Sequence, residues 1–336
     1  MTDIFMLLGG FLLLTIGGEI LVRSSVSFAE ALGISPLIIG LTFVGFGTSM
    51  PELVTSVQAA RVGAAGIAVG NFVGSNIANT LLVLGLASLI APIAMRKSAL
   101  KRDGVFVLAI SIGFSLIAYF YTLDRSVGVG FLTLLGLYLI YAYRQEAAEW
   151  ETWKQGHTAV YEKAEAYSHL RDGVKDRSRS EAVTACLAFA PPLFMAIIGL
   201  AIVIVGGTIL VDGAVGLARQ FDISESVIGL TIVAIGTSMP EIVTSLVAAL
   251  HKHSDVALGN IMGSNIYNIL AIGGTTALIS PTDVPERIAH FDNLVMVGAA
   301  VLLLTFARTG YRVVRLEGLV LLALYGTYIW ALWPET

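Results

Sequence analysis

The sequence predicts an all-α polytopic membrane protein with ten transmembrane helices in two inverted five-helix repeats. Three observations lead there: the chain is too apolar for a soluble domain, its apolar residues gather into segments of spanning length, and its two halves match each other. Of 336 residues, 56% are hydrophobic and 13% are charged, and the mean hydropathy is +0.82. Soluble domains carry about 25% charged residues.

A helix needs about 20 apolar residues to cross roughly 30 Å of hydrocarbon. Segments of this kind fall at about 4–24, 36–60, 67–91, 104–122, 127–143, 187–211, 225–249, 256–280, 292–308 and 317–333. Met1 to Phe5 lacks the basic start of a cleavable signal peptide, so the first segment is expected to stay on the chain as a span. Residues 144–182 break the pattern with alternating charges and read as a soluble connector. It separates a first repeat, 1–143, from a second, 183–336. Trp150, Trp153 and Tyr161 suit an amphipathic helix at the membrane interface within it. The connector is too short for a regulatory domain and holds no EF-hand pattern. The single Cys186 excludes an internal disulfide and a thiolate metal cluster, and reads as a small apolar residue. A net charge of −4 speaks against a nucleic-acid partner.

An offset of 189 residues aligns Gly33–Leu82 with Asp222–Ala271 without a gap, and 27 of the 50 positions are identical. Gly17-Gly18 falls on Gly206-Gly207 at the same offset. Each half has an odd number of spans, so the second half enters the membrane the other way up, the inverted plan of many secondary transporters. The basic residues agree. Sixteen lysines and arginines lie on the side of the connector and four, Arg61, Arg125, Arg219 and Arg287, on the other; leaving out the long connector, the balance is nine to four. The positive-inside rule therefore puts the connector in the cytoplasm and both termini outside.

The chemistry is carried by Gly47-Thr48-Ser49-Met50-Pro51-Glu52, which recurs letter for letter as Gly236 to Glu241. A proline in a spanning helix strips a carbonyl of its amide partner, which is tolerated only inside protein or beside a wet cavity. Pro51 and Pro240 do this one residue before a carboxylate, itself costly in hydrocarbon without a partner. Thr48 and Glu52 are four apart, so hydroxyl, loosened carbonyl and carboxylate share a face. Such an all-oxygen cluster suits hard cations such as Ca²⁺ or Na⁺. The second repeated motif runs from Gly70-Asn71 through Gly74-Ser75-Asn76 to Asn79, and from Gly259-Asn260 through Gly263-Ser264-Asn265 to Asn268. Ser75 with Asn79, and Ser264 with Asn268, place a hydroxyl and an amide on one face, while the glycines let helices approach. Helix-packing glue is the competing reading for Asn76 and Asn265.

These paired motifs resemble the two alpha-repeats of the cation/calcium exchanger superfamily, most closely its prokaryotic sodium/calcium exchanger branch, over the whole ten-helix frame. The resemblance implies that Glu52 and Glu241 coordinate Ca²⁺ with the backbone carbonyls of Thr48 and Thr237. It implies Na⁺ sites made by the same glutamates with Ser49, Ser75, Ser238 and Ser264 and the carbonyls of Gly45 and Ala234. Asn79, Asn268, Pro51 and Pro240 would line the site. It implies alternating access, with segments 4–24 and 187–211 sliding across the other eight. Potassium-dependent relatives carry an acid at the position of Asn268; a neutral Asn79 and Asn268 leave two carboxylates rather than three, which argues against potassium cotransport. Two carboxylates neutralise one Ca²⁺, so exchange for three Na⁺ would be electrogenic.

The expected activity is thus sodium-driven calcium antiport in a cell inner membrane, with Ca²⁺, Na⁺ and the lipid bilayer as partners, no cofactor, and a monomer as the expected state. A calcium/proton antiporter on the same frame is the main rival, since protons can also neutralise a carboxylate pair. A gated channel fits the closed pair of carboxylates poorly, and no zinc-enzyme motif or activated nucleophile is present. Among the remaining polar residues, Glu19 and Arg23 read as a local ion pair. Asp212, His251 and His253 read as solvated. Thr42, Thr231, Thr55, Ser56, Thr244 and Ser245 are balanced between lining an ion path and satisfying backbone carbonyls.

Overall fold

The computed structural model describes residues 2–32, 34–156, 181–220 and 234–332. Tyr161 and Thr231 lie outside these residues. Helix α1 covers Thr2–Leu32. Ser35 then caps α2, Pro36–Thr48, accepting from the Ile38 amide, with Pro36 in the first turn, where its missing N–H costs nothing. Helix α2 widens into a π turn at Gly40–Val44.

Pro51 has no amide to offer the Gly47 carbonyl, and the chain leaves helical geometry at Ser49 (φ −83°, ψ 4°) before α3, Met50–Arg61. The two helices meet at a 42° bend. Ser238 repeats the break (φ −88°, ψ 7°) between α8, Ala234–Thr237, and α9, Met239–Leu250. The predicted continuous spans are therefore interrupted at the motif in both halves. Further repeats follow. Gly63 and Lys252, 189 residues apart, both turn the chain with left-handed backbone (φ 77° and 62°).

Helix α4, Gly66–Ile90, contains a π turn at Asn79–Val83. At the same offset, α10, Ser254–Tyr267, runs through a π turn at Asn268–Ile272 into α11, Gly273–Ile279. The outer helices are α5, Lys97–Phe120, α6, Arg125–Gly156, α7, Glu181–Gln220, α12, Ile288–Arg308, and α13, Arg315–Leu332. Helix α6 carries on through Trp150 and Trp153 to Gly156, so the first part of the predicted connector prolongs a span. Small two-residue strands, β1 (Ile93–Ala94) and β2 (Arg312–Val313), pair antiparallel. An isolated Leu123–Thr282 bridge makes a similar contact elsewhere.

Seven helices among the described residues are long and apolar enough to cross a membrane, eight if α2 and α3 form one bent span. The chain is a multi-pass membrane protein. Burial sorts its helices: 72% of the apolar window of α4 is inside the protein, against 28% for α1, α6 and α7 and 17% for α13. Every residue of α10 from Val256 to Tyr267 is buried. The helices bearing the Gly-Ser-Asn motifs are thus the centre, and α1, α6, α7 and α13 leave most of their apolar windows on the outside of the protein.

Helices α1 and α7 form one long seam. A Cβ on Gly10 would meet Leu210, one on Gly17 would meet Val203, and one on Gly199 would meet Leu21, each within 2.9 Å of backbone. The pair therefore runs antiparallel, with glycine backbones in direct contact. The seam is its own image under the repeat: exchanging halves at the 189-residue offset turns the Gly17–Val203 contact into the Gly206–Leu14 contact, which is also present.

Candidate ion-binding site

The breaks at Ser49 and Ser238 end α2 at Thr48 and α8 at Thr237, so the last carbonyls of each short helix, Gly45 and Ala234 among them, lie beside the start of a helix that carries a glutamate. Helix C-termini concentrate partial negative charge. Glu52 and Glu241 are each 1% exposed. Their hydrogen bonds cross between the halves: Ser49 Oγ donates to Glu241 Oε1 (3.0 Å) and Ser238 Oγ donates to Glu52 Oε1 (3.3 Å). The second oxygen of each carboxylate is buried with no hydrogen-bond partner. Among the described residues no basic side chain pairs with either glutamate.

Around Glu241 the oxygens converge. Ser264 Oγ lies 3.4 Å from Glu241 Oε1 and 3.3 Å from the Gly45 carbonyl oxygen, and Thr48 Oγ1 donates to Asn260 Oδ1 (3.0 Å). Thr48, Ser49, Ser264 and Gly45 are buried, as are Ser238, Ser75 and Pro240, whereas Pro51 and Thr237 are half-buried. Asn79 and Asn268 open the two π turns and are buried with both polar side-chain atoms unpartnered. Wide turns of this kind recur at functional sites. Ala234 starts α8. The donor set is oxygen, and among the described residues no three of His, Cys, Asp and Glu come together. Such a set fits a hard cation and not a thiophilic or imidazole-bound metal.

Asn71 and Asn260 also build the site, although the spacing of the motifs assigns them no role. Asn260 Nδ2 donates to the Glu241 carbonyl (3.3 Å) and to Ser245 Oγ (2.9 Å); Asn71 Nδ2 donates to the Glu52 carbonyl (3.1 Å) and to Ser56 Oγ (2.9 Å). Each amide clamps the glutamate helix to its neighbour, and identity at the repeat offset is the signal that singles it out. Asn260→Ala is expected to lower stability by about 1–3 kcal/mol, the cost of leaving buried polar groups unpaired. A thermal unfolding midpoint in detergent checks it, and the half-buried Asn71→Ala should shift less.

The other polar residues separate. Ser56 and Ser245 accept from the clamping amides, and Ser56 Oγ donates to the Ala68 carbonyl (3.3 Å), so both tie helices together. Thr42 Oγ1 donates to the Ile38 carbonyl (2.6 Å), also a backbone role. Asn76 Nδ2 donates to the Phe72 carbonyl (2.8 Å) and Asn265 Nδ2 to Thr80 Oγ1 (3.1 Å), in keeping with the packing reading. Glu19 and Arg23 form the expected ion pair. His251 is exposed, as expected, and its Nε2 also contacts Glu19, because α9 ends against α1. Partial burial and neighbouring His251 lower the pKa of His253.

The sodium/calcium exchanger protein family model matches residues 2–144 and 192–333. The chain belongs to the sodium/calcium exchanger family. Both matched stretches hold one copy of each motif, so the family's two repeats are the two halves described above. Sodium/calcium exchanger MaX1 of Methanosarcina acetivorans is 33% identical to this exchanger over 345 residues, covering 97% of each chain. Inner membrane protein YrbG of Escherichia coli is 34% identical over 293 residues, covering 87% of this exchanger and 84% of that protein. Among solved structures, the sodium-calcium exchanger NCX_Mj soaked with 10 mM Na⁺ and zero Ca²⁺ superposes with a TM-score of 0.81 at 31% identity, covering 99% of both chains.

Proposed function

We propose that this exchanger moves Ca²⁺ across a cell inner membrane in exchange for Na⁺, by alternating access around Glu52 and Glu241. The observation that carries the reading is the pair of buried carboxylates with no basic partner, each held by a serine of the other half. Two unpaired carboxylates away from water are strongly disfavoured, so cargo cations are what make the closed site tolerable. The protein then changes sides readily only when loaded, and the outcome is exchange rather than leak.

Glu52 and Glu241, with the carbonyls of Thr48 and Thr237, would hold Ca²⁺. Ser49, Ser75, Ser238 and Ser264, with the Gly45 and Ala234 carbonyls, would complete Na⁺ sites. Asn79, Asn268, Pro51 and Pro240 would line the site. The proposed architecture is ten spans in two inverted repeats, 1–143 and 183–336, with the 144–182 connector cytoplasmic and both termini outside. Its support is that α1 and α7 are equivalent by offset yet run antiparallel in contact, as equivalent helices must if the second half is upside down.

Calcium uptake into proteoliposomes loaded with Na⁺, compared with K⁺ or choline, tests the reading. Uptake is expected to require internal Na⁺ and to respond to membrane potential. Uptake indifferent to Na⁺ and driven by internal acid would instead make the chain a calcium/proton antiporter on the same site.

A further inference from the structure

At the connector end of α5 and α6 lies a cleft of about 660 Å³ whose lining includes Arg96, Lys97, Lys101, Arg102, Tyr141 and Gln145. Two of its cations are committed. Arg102 donates to both oxygens of Asp103 (2.6 and 2.9 Å) and to Glu146 Oε2 (2.9 Å), and Arg96 contacts Glu146 and the Ser35 hydroxyl. Asp255 stands 3.8 Å from Arg96, and Tyr138 donates to Asp103 (2.6 Å). Three carboxylates thus surround the two arginines, and with Lys97 and Lys101 added the group carries a net charge of +1. The positive excess rests on Lys97 and Lys101, which are exposed, one helical turn apart, and without a carboxylate partner among the described residues.

The cleft opens where two spans end. Along α5 the exposed positions run Lys97, Lys101, Val105; along α6 the half-buried Gln145 is followed by the exposed Tyr141 and Leu137. Each row passes from polar to apolar toward the middle of the membrane, and Val105, Tyr141 and Leu137 are 43%, 57% and 61% exposed. The stacked Phe106 and Tyr138 rings, 3.9 Å apart, hold the two helices together beneath the cleft. A soluble anion would use the cations alone. An amphiphile with a negative head uses both the lysines and the apolar rows.

We propose that this cleft binds an anionic phospholipid, its phosphodiester between Lys97 and Lys101 and its acyl chains along Val105, Leu137 and Tyr141. Basic clefts between spans are suited to such headgroups, and basic residues on the cytoplasmic face attract acidic lipid. The bound lipid bridges α5 to α6 directly above the Arg102–Glu146 network, at the root of the connector. The binding does not depend on which ions the chain transports.

The test is native mass spectrometry of the full chain in neutral detergent titrated with phosphatidylglycerol or phosphatidylcholine. Wild type is expected to retain phosphatidylglycerol preferentially. The double variant K97Q/K101Q is expected to bind it about thirtyfold more weakly, the effect of two basic residues near a membrane surface. K97R/K101R should restore retention, and K252Q, which removes a lysine outside the cleft, should leave it unchanged. Equal retention of both lipids by wild type, an unaltered K97Q/K101Q, or an equal loss in K252Q would overturn the proposal. So would inorganic phosphate that binds alone and displaces the lipid, which would mark a soluble-anion site. Both lysines are exposed, and a monodisperse elution profile separates lost binding from lost fold.

Discussion

Glu52→Gln and Glu241→Gln are each expected to abolish sodium-dependent calcium uptake while leaving the protein folded. Glutamine keeps the shape and one acceptor oxygen, so the serine of the opposite half retains its partner. What disappears is one of two negative charges. A divalent cation in a dry site then faces a single carboxylate and stays under-neutralised, at a cost of several kcal/mol. Removing a buried, unpaired carboxylate also relieves the ion-free protein, so the thermal midpoint without cargo should be equal to or above that of wild type. Calcium should stabilise wild type by about 2.7 kcal/mol at a concentration a hundred times its dissociation constant, and neither variant. Because each glutamate receives the same contact from the opposite half, the two substitutions should cost alike. Full calcium flux in both variants would remove the glutamates from the site.

Gly17→Ala and Gly206→Ala should both slow exchange by roughly tenfold or more, through packing alone. A Cβ on Gly17 would lie 2.8 Å from the Val203 amide nitrogen, and one on Gly206 would lie 2.9 Å from the Leu14 amide nitrogen. Backbone cannot step aside as a side-chain tip can, so α1 and α7 must part. Overpacking of this kind costs about 1–3 kcal/mol, and each 1.4 kcal/mol on a rate-limiting barrier is about a factor of ten. Gly136, exposed on α6 with open space around it, is the control: Gly136→Ala should be neutral. Initial uptake rates at matched reconstitution levels decide the matter. Unchanged rates in both seam variants would show that the glycine contact does not limit movement of these helices.

The parts of this fold that follow from composition and repetition are legible in the chain. Segment lengths mark helices, and a proline followed by a glutamate inside an apolar segment marks the site before any packing is known. The expectation of continuous spans through the motif does not hold, since Pro51 and Pro240 end one helix and begin another at Ser49 and Ser238. Other features lie beyond local spacing. Ser49 reaching Glu241, and Asn260 serving both the Glu241 carbonyl and Thr48, join residues from different helices. The same holds for Arg102, which reads as one more basic loop residue until Glu146 of α6 is placed against it. The contact of the exposed His251 with Glu19 is hidden for the same reason, because nothing in the neighbours of His251 announces it.

The π turns at Asn79–Val83 and Asn268–Ile272 set how distances along these helices should be counted. An α-helix rotates about 100° per residue, and a π turn accommodates one residue more than an α turn. Residues before Asn79 and after Val83 therefore belong to two separate rulers. Spacings of four or seven identify a common face on either ruler but not across the join. Loss of one residue within the turn would close it to ordinary α-helix and leave both rulers in place, so a one-residue gap there between two relatives is conformationally silent. The same gap elsewhere in α4 or α10 would turn part of the helix by about 100° and separate buried asparagines from their present neighbours.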